Sequence, residues 1–199
     1  MRIAFDENIP IAMVKVFQTF ANEKQIRKLA ENLTIESAKD YTPKATDPDY
    51  LRKNDEPWIR RFSQAGGNVI ISGNTKMMSE PHERLALVET GMVVIFFENR
   101  WNNLRFFPKC AILLHWWPKV IHTAKRAEPP SFWRIPSNWD VDGKLRRMSH
   151  ADQGLLQIER QIADGPRIKA ARRRARSELT PSAQTTIDFI EATDAATRD

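Results

Sequence analysis

Asn68-Val69-Ile70-Ile71-Ser72-Gly73-Asn74, followed across a short segment by Met92-Val93-Val94-Ile95-Phe96-Phe97, is the part of the sequence that decides the fold. Apolarity runs through both stretches without alternation. A strand made of either must therefore be covered on both faces, as in a parallel sheet flanked by helices. Between them, Ser79-Glu80-Pro81 reads as a helix start and Gly91 as its stop. Strand, helix and strand in this order predict an α/β architecture.

Upstream, Arg2-Ile3-Ala4-Phe5 reads as a short strand running into the turn Asp6-Glu7-Asn8-Ile9-Pro10. Val14, Phe17, Phe20, Ile26, Leu29 and Leu33 then recur at helical spacing, in two pieces around Asn22-Glu23-Lys24. Leu33-Thr34-Ile35 fits a short strand. Lys39 to Asn54, with Pro43 and Pro48, is a loop long enough to suggest a function. Asp55-Glu56-Pro57-Trp58-Ile59 starts a helix that Gly66-Gly67 ends.

Downstream, Cys110, Leu114, Trp117 and Ile121 share a helix face, with a kink or division expected at Pro118. Phe132-Trp133-Arg134-Ile135 reads as an edge strand. Beyond Arg147 the composition changes. Leu155, Ile158 and Ile162 give one short amphipathic helix, broken at Gly165-Pro166, and thin apolar content follows at Ile187 and Ile190. The chain thus divides into an α/β domain over residues 1–147 and a basic, partly helical or disordered extension over residues 148–199.

Cys110 is the only cysteine, which excludes an intrachain disulfide and a cysteine-based zinc cluster and fits a reducing compartment. Asp6 stands where a signal peptide needs its apolar run, and no stretch is apolar enough to span a bilayer, so a cytoplasmic protein is expected. The net charge of +6 belongs to the tail: Arg167, Lys169, Arg172, Arg173, Arg174 and Arg176 account for all of it. These six cations are the candidate RNA contacts of the extension.

In an open parallel sheet, ligands bind outside the carboxyl ends of the strands. Asp6 and Glu7 follow the first strand, Asp55 opens a helix after the long loop, and Ser72-Gly73-Asn74 follows a central strand. Oxygen ligands converging from separate strand ends suit Mg²⁺, which needs one or two carboxylates and keeps several waters. Other readings compete. Asp6 and Asp55 serve equally as helix caps, and spacing alone favours capping. Asn74 beside Gly73 is a common turn pair. His82 and Glu83 read more simply as a solvated helix face, His115 and His122 as packing residues, and Trp101 and Phe106-Phe107 as core.

Taken together these residues resemble PIN-like domains, particularly those of toxin–antitoxin ribonucleases. The similarity rests on Asp6-Glu7-Asn8-Ile9-Pro10, Asp55 with Trp58, Ile70-Ile71-Ser72-Gly73 with Pro81-His82-Glu83, Trp101-Asn102, and Trp116-Trp117-Pro118, and covers roughly Met1 to Pro136. The resemblance implies a three-layer α/β/α sandwich around a mainly parallel sheet. It also implies a Mg²⁺- or Mn²⁺-dependent endoribonuclease, with Asp6 and Asp55 as metal ligands, Glu7 as helper and Asn74 in the catalytic set. RNA substrate and a cognate antitoxin are the partners it suggests, with a homo-oligomer allowed and no membrane. One departure stands out: the family usually has aspartate after Ser-Gly, where this chain has Asn74. Losing that charge weakens attraction for a divalent cation. A catalytically weakened PIN-like module that binds RNA or protein is therefore the alternative.

Overall fold

The computed structural model describes residues 1–148 and 157–165. Six strands form one sheet in the order β2-β1-β3-β4-β5-β6. They are β1 (Arg2–Phe5), β2 (Thr34–Ser37), β3 (Val69–Ser72), β4 (Val93–Phe97), β5 (Ser131–Ile135) and β6 (Arg146–Arg147). The first five run parallel, and β6 pairs antiparallel with β5. The helices are α1 (Ile11–Ala21), α2 (Lys24–Leu29), α3 (Glu56–Gln64), α4 (Pro81–Glu89) and α5 (Phe106–Arg126).

The unbroken apolar strands do what their composition requires. Successive side chains point to opposite faces, so each strand feeds two cores. Ile3, Phe5, Val69, Ile71, Val93 and Ile95 face Met13, Val14 and Phe17 of α1 and Leu113, Trp117 and Val120 of α5. Ala4, Ile70, Val94 and Phe96 face Trp58, Ile59 and Phe62 of α3 and Ala86 and Leu87 of α4. The result is the three-layer α/β/α sandwich with a mainly parallel sheet. Each large apolar side chain so buried contributes about 1.5–3 kcal/mol.

Two local readings change. Of the kink or division expected at Pro118, the division is absent: α5 runs through it from Phe106 to Arg126. Pro118 faces solvent, where water can satisfy the carbonyl its missing N–H leaves free, while Trp116, Trp117, Val120 and Ile121 bury both halves of the helix. Second, β5 is not the edge strand, because Arg146 and Arg147 pair with Arg134 and Trp133. Trp101 is core, fully buried and stacked on Phe97 at 4.3 Å, whereas Phe107 is exposed.

The chain divides into two units between Glu159 and Arg160. Residues 157–165 are helical, with Ile158 buried. Leu155, the arginine-rich segment Arg167 to Arg176, and Ile187 and Ile190 lie outside the described residues.

Candidate active site

The strand order reverses direction between β1 and β3, and crevices in parallel sheets open at such switch points. The backbone there continues one step past the strand, because the Asp6 N–H donates to the Ile71 carbonyl at 2.9 Å. Asp6 is thereby set beside Ser72. Its side chain is 1 % exposed. Oδ2 accepts from the Ser72 hydroxyl at 2.7 Å and from the Asn8 amide at 3.2 Å, while Oδ1 is buried with no partner. Burial pushes the Asp6 carboxyl above its ordinary range, and the Ser72 and Asn8 donors oppose this. Leaving an acceptor buried and unmatched costs about 1–3 kcal/mol, so an orphaned carboxylate oxygen points to a missing electrophile.

The capping explanation fails for both aspartates. Helix α1 follows Pro10 and has no side-chain cap. Asp55 has helical backbone angles, φ −85 and ψ −11, and makes no capping hydrogen bond. The residue before it does that work: Asn54 Oδ1 accepts from the Glu56 N–H at 2.8 Å. The Asp55 carboxyl is therefore free to join the site. It is pushed up to about 6, first by burial and then by the Asp6 charge, with Glu7 adding to it; Trp58 and Asn74 side chains pull the other way. The Trp58 indole Nε1 is near enough to lower Asp55 yet makes no hydrogen bond of ordinary geometry.

Glu83 is the residue that the solvated-face reading missed. It is only 6 % exposed. Oε1 accepts from the Asp55 N–H at 3.2 Å, and Oε2 is buried without a partner. Its carboxyl is pushed up to about 7 by burial, then by the Asp55 charge, with Glu80 and Asp6 adding to it. Like charges crowded in a poorly solvated space raise one another's pKa. Its neighbour on α4, His82, is exposed, as expected of a solvated face.

Glu7 and Asn74 are engaged locally. Glu7 accepts a hydrogen bond from the Thr42 hydroxyl, which ties the long loop to the turn after β1. The same loop is held to α3 by Arg61, which forks between Asp47 at 2.9 Å and Asp49 at 2.5 Å. Asn74 Oδ1 accepts from the Lys76 N–H at 3.1 Å, so it caps its own 3-10 turn over Thr75–Met78. Its side chain also favours the charged form of Asp55. Asn74 is thus a turn residue and a neighbour of the acids at once. His115 and His122 stand apart: His115 hydrogen-bonds the Asp140 carbonyl at 3.1 Å and packs on Trp139.

Among the described residues, no three His, Cys, Asp or Glu side chains form a ready-made ligand shell. The donor set nevertheless suits a hard, largely hydrated cation. Two carboxylate oxygens are buried without partners, and the acids around them are mutually repelled. Mg²⁺ needs no closed protein cage.

The sequence signature of the PIN-like domain family matches residues 1–99, a stretch that holds Asp6, Glu7, Asp55, Asn74 and Glu83 together with β1 to β4. No curated protein and no solved structure gave a significant match to the chain.

Proposed function

We infer, from the membership of this chain in the PIN-like domain family and the nuclease-type fold that goes with it, that the protein is a metal-dependent endoribonuclease. The observation that carries the reading is the pair of orphaned buried oxygens, Asp6 Oδ1 and Glu83 Oε2, on either side of Asp55 in the charge network. Asp6 and Asp55 would hold Mg²⁺ or Mn²⁺, with Glu83 and Glu7 reinforcing the negative field. Such a cation, when bound, polarises a phosphate oxygen and lowers the pKa of a coordinated water. The chain's own residues prepare the place. Ser72 and Asn8 fix Oδ2 of Asp6, Asn54 releases Asp55 from capping, and the Asp55 N–H orients Glu83.

The test is hydrolysis of RNA with Mg²⁺ or Mn²⁺ against a chelator. Asp6→Asn and Asp55→Asn should each abolish cleavage and weaken cation binding measured by calorimetry. Cleavage that persists in both variants overturns the reading.

A toxin of a toxin–antitoxin pair is the biological role we propose, on the resemblance of Asp6-Glu7-Asn8-Ile9-Pro10 and Trp116-Trp117-Pro118 to that subgroup. Growth arrest on expression, relieved by Asp6→Asn and by a small protein encoded next door, is the expected result. One observation favours a second reading, a non-catalytic RNA- or protein-binding module: position 74 lacks the acid, and its oxygen is spent on its own turn. RNA binding indifferent to magnesium, without cleavage, would select that module.

A further inference from the structure

Next to the acids lies a pocket of about 330 Å³ that shares Asn74 and Glu83 with them and is also lined by Lys53, Lys76, Glu80 and His82. Three arginines elsewhere are paired with acids. Arg2 meets Glu36, Arg60 meets Glu56 and Glu89, and Arg61 meets Asp47 and Asp49. The ammonium groups of Lys53 and Lys76 make neither an ion pair nor a hydrogen bond among the described residues, although Glu80 lines the same pocket. Lys53 also holds a left-handed backbone, φ 56, at the end of the long loop.

Two unpaired ammonium groups beside a group of uncompensated acids form a field of alternating sign. A metal ion answers the acids. An anion answers the lysines. A polynucleotide brought to the acids by one phosphate presents the next phosphate one sugar away, on the same strand.

Resting on the nuclease reading, we propose that Lys53 and Lys76 form a phosphate subsite that holds the phosphodiester adjoining the one at Asp6 and Asp55. They are positioning residues, and they give the site a preference for internal linkages of a strand over a lone phosphodiester. Lysine suits this role because its ammonium acts as a point charge on phosphate without demanding a fixed fork geometry.

The experiment compares the full chain with Lys53→Gln/Lys76→Gln and Lys53→Arg/Lys76→Arg, using a fluorescent RNA oligonucleotide and its DNA counterpart. Binding is read by anisotropy over a salt series with Ca²⁺ in place of Mg²⁺, so that no cleavage is needed. The Gln pair should bind roughly tenfold more weakly at low salt, and the log–log salt slope should fall by about 1.4, two contacts at 0.7 each on a single strand. The Arg pair should restore both. RNA and DNA should lose affinity alike, because the grip is on phosphate. Where cleavage occurs, KM for the oligonucleotide should rise with kcat unchanged, and a dinucleoside monophosphate should be cut equally by both proteins. An unchanged slope in the Gln pair overturns the subsite, even with cleavage intact. An unchanged KM for the oligonucleotide does the same. Absence of cleavage together with a lysine-dependent slope sinks the nuclease reading alone.

Discussion

Replacing Glu83 with Gln isolates the electrostatic cost of assembling the acid group. The amide keeps an oxygen for the Asp55 N–H, the bond that Glu83 makes at 3.2 Å, and removes the charge. In the native protein the Glu83 carboxyl is pushed from 4.5 to about 7, mainly by burial and by Asp55. Each pKa unit is worth about 1.4 kcal/mol, so the ceiling on the effect is about 3 kcal/mol. Water reaching the pocket mouth screens part of it, which leaves about 1–2 kcal/mol. The sign follows from proton counting. As pH rises from about 4.5 to about 7, the unfolded chain releases this proton and the native chain retains it, so stability falls across that window and levels off above it. Glu83→Gln should therefore match the wild type near pH 4.5 and exceed it by about 1–2 kcal/mol at pH 8, or roughly 3–6 °C in Tm for a chain of this size. Thermal unfolding in chelator at several pH values reads this directly. A variant with the same pH slope as the wild type, or one less stable at pH 8, would refute the argument that Glu83 is a buried charge without compensation.

Asn74→Asp should lower Tm in chelator and raise it more than wild type on adding Mg²⁺, because the new charge sits beside Asp55 while its oxygen can still cap the turn at Lys76; equal Mg²⁺ responses would leave Asn74 a turn residue only. Ser72→Ala removes the donor at 2.7 Å from Asp6 and should raise the Asp6 pKa further. The measurable result is a metal affinity that falls off at higher pH than in the wild type. Gly67→Ala places a Cβ 2.4 Å from the buried Phe62 ring and should destabilise by about 1–3 kcal/mol in urea unfolding. Truncation after Gly165 removes the cations from Arg167 to Arg176 but keeps the buried Ile158, and should flatten the salt dependence of RNA binding without changing Mg²⁺ affinity.

The sheet was legible because burial on two faces leaves an unmistakable mark, a strand with no polar residue to spare, as in Val93–Phe97. Asp6 was legible from its place after β1. Asp55 was legible as a position but not as a function, since Asn54 and Asp55 are both good caps and only the backbone angles decide which of them caps. Glu83 was hidden for a different reason. A charged residue near a helix start normally faces water, and the tertiary environment overrode that tendency. A signal was present in the spacing, because Glu83 lies three and four residues before Ala86 and Leu87, both fully buried, and so shares their face of α4. The pairing of Arg146 and Arg147 with β5 depends on a distant segment folding back, which no local pattern in Ser131–Ile135 announces.

The division of labour between the two cores bears on when this protein becomes competent during its synthesis. Every acid of the site is encoded within residues 1–99, but β5 and α5 come later in the chain. Phe5 and Phe17 close against Trp117, at ring distances of 6.2 and 4.5 Å. A nascent chain that has emerged only to β4 therefore carries all the candidate acids on a sheet whose one face is covered by α1 without α5, and whose β4 is unpaired on its outer side. Gathering mutually repelling acids consumes free energy, and the burial of α5 adds to what offsets it. Because α5 follows all three acids in the chain, the core beneath Asp6, Asp55 and Glu83 is expected to close only after they have been synthesised.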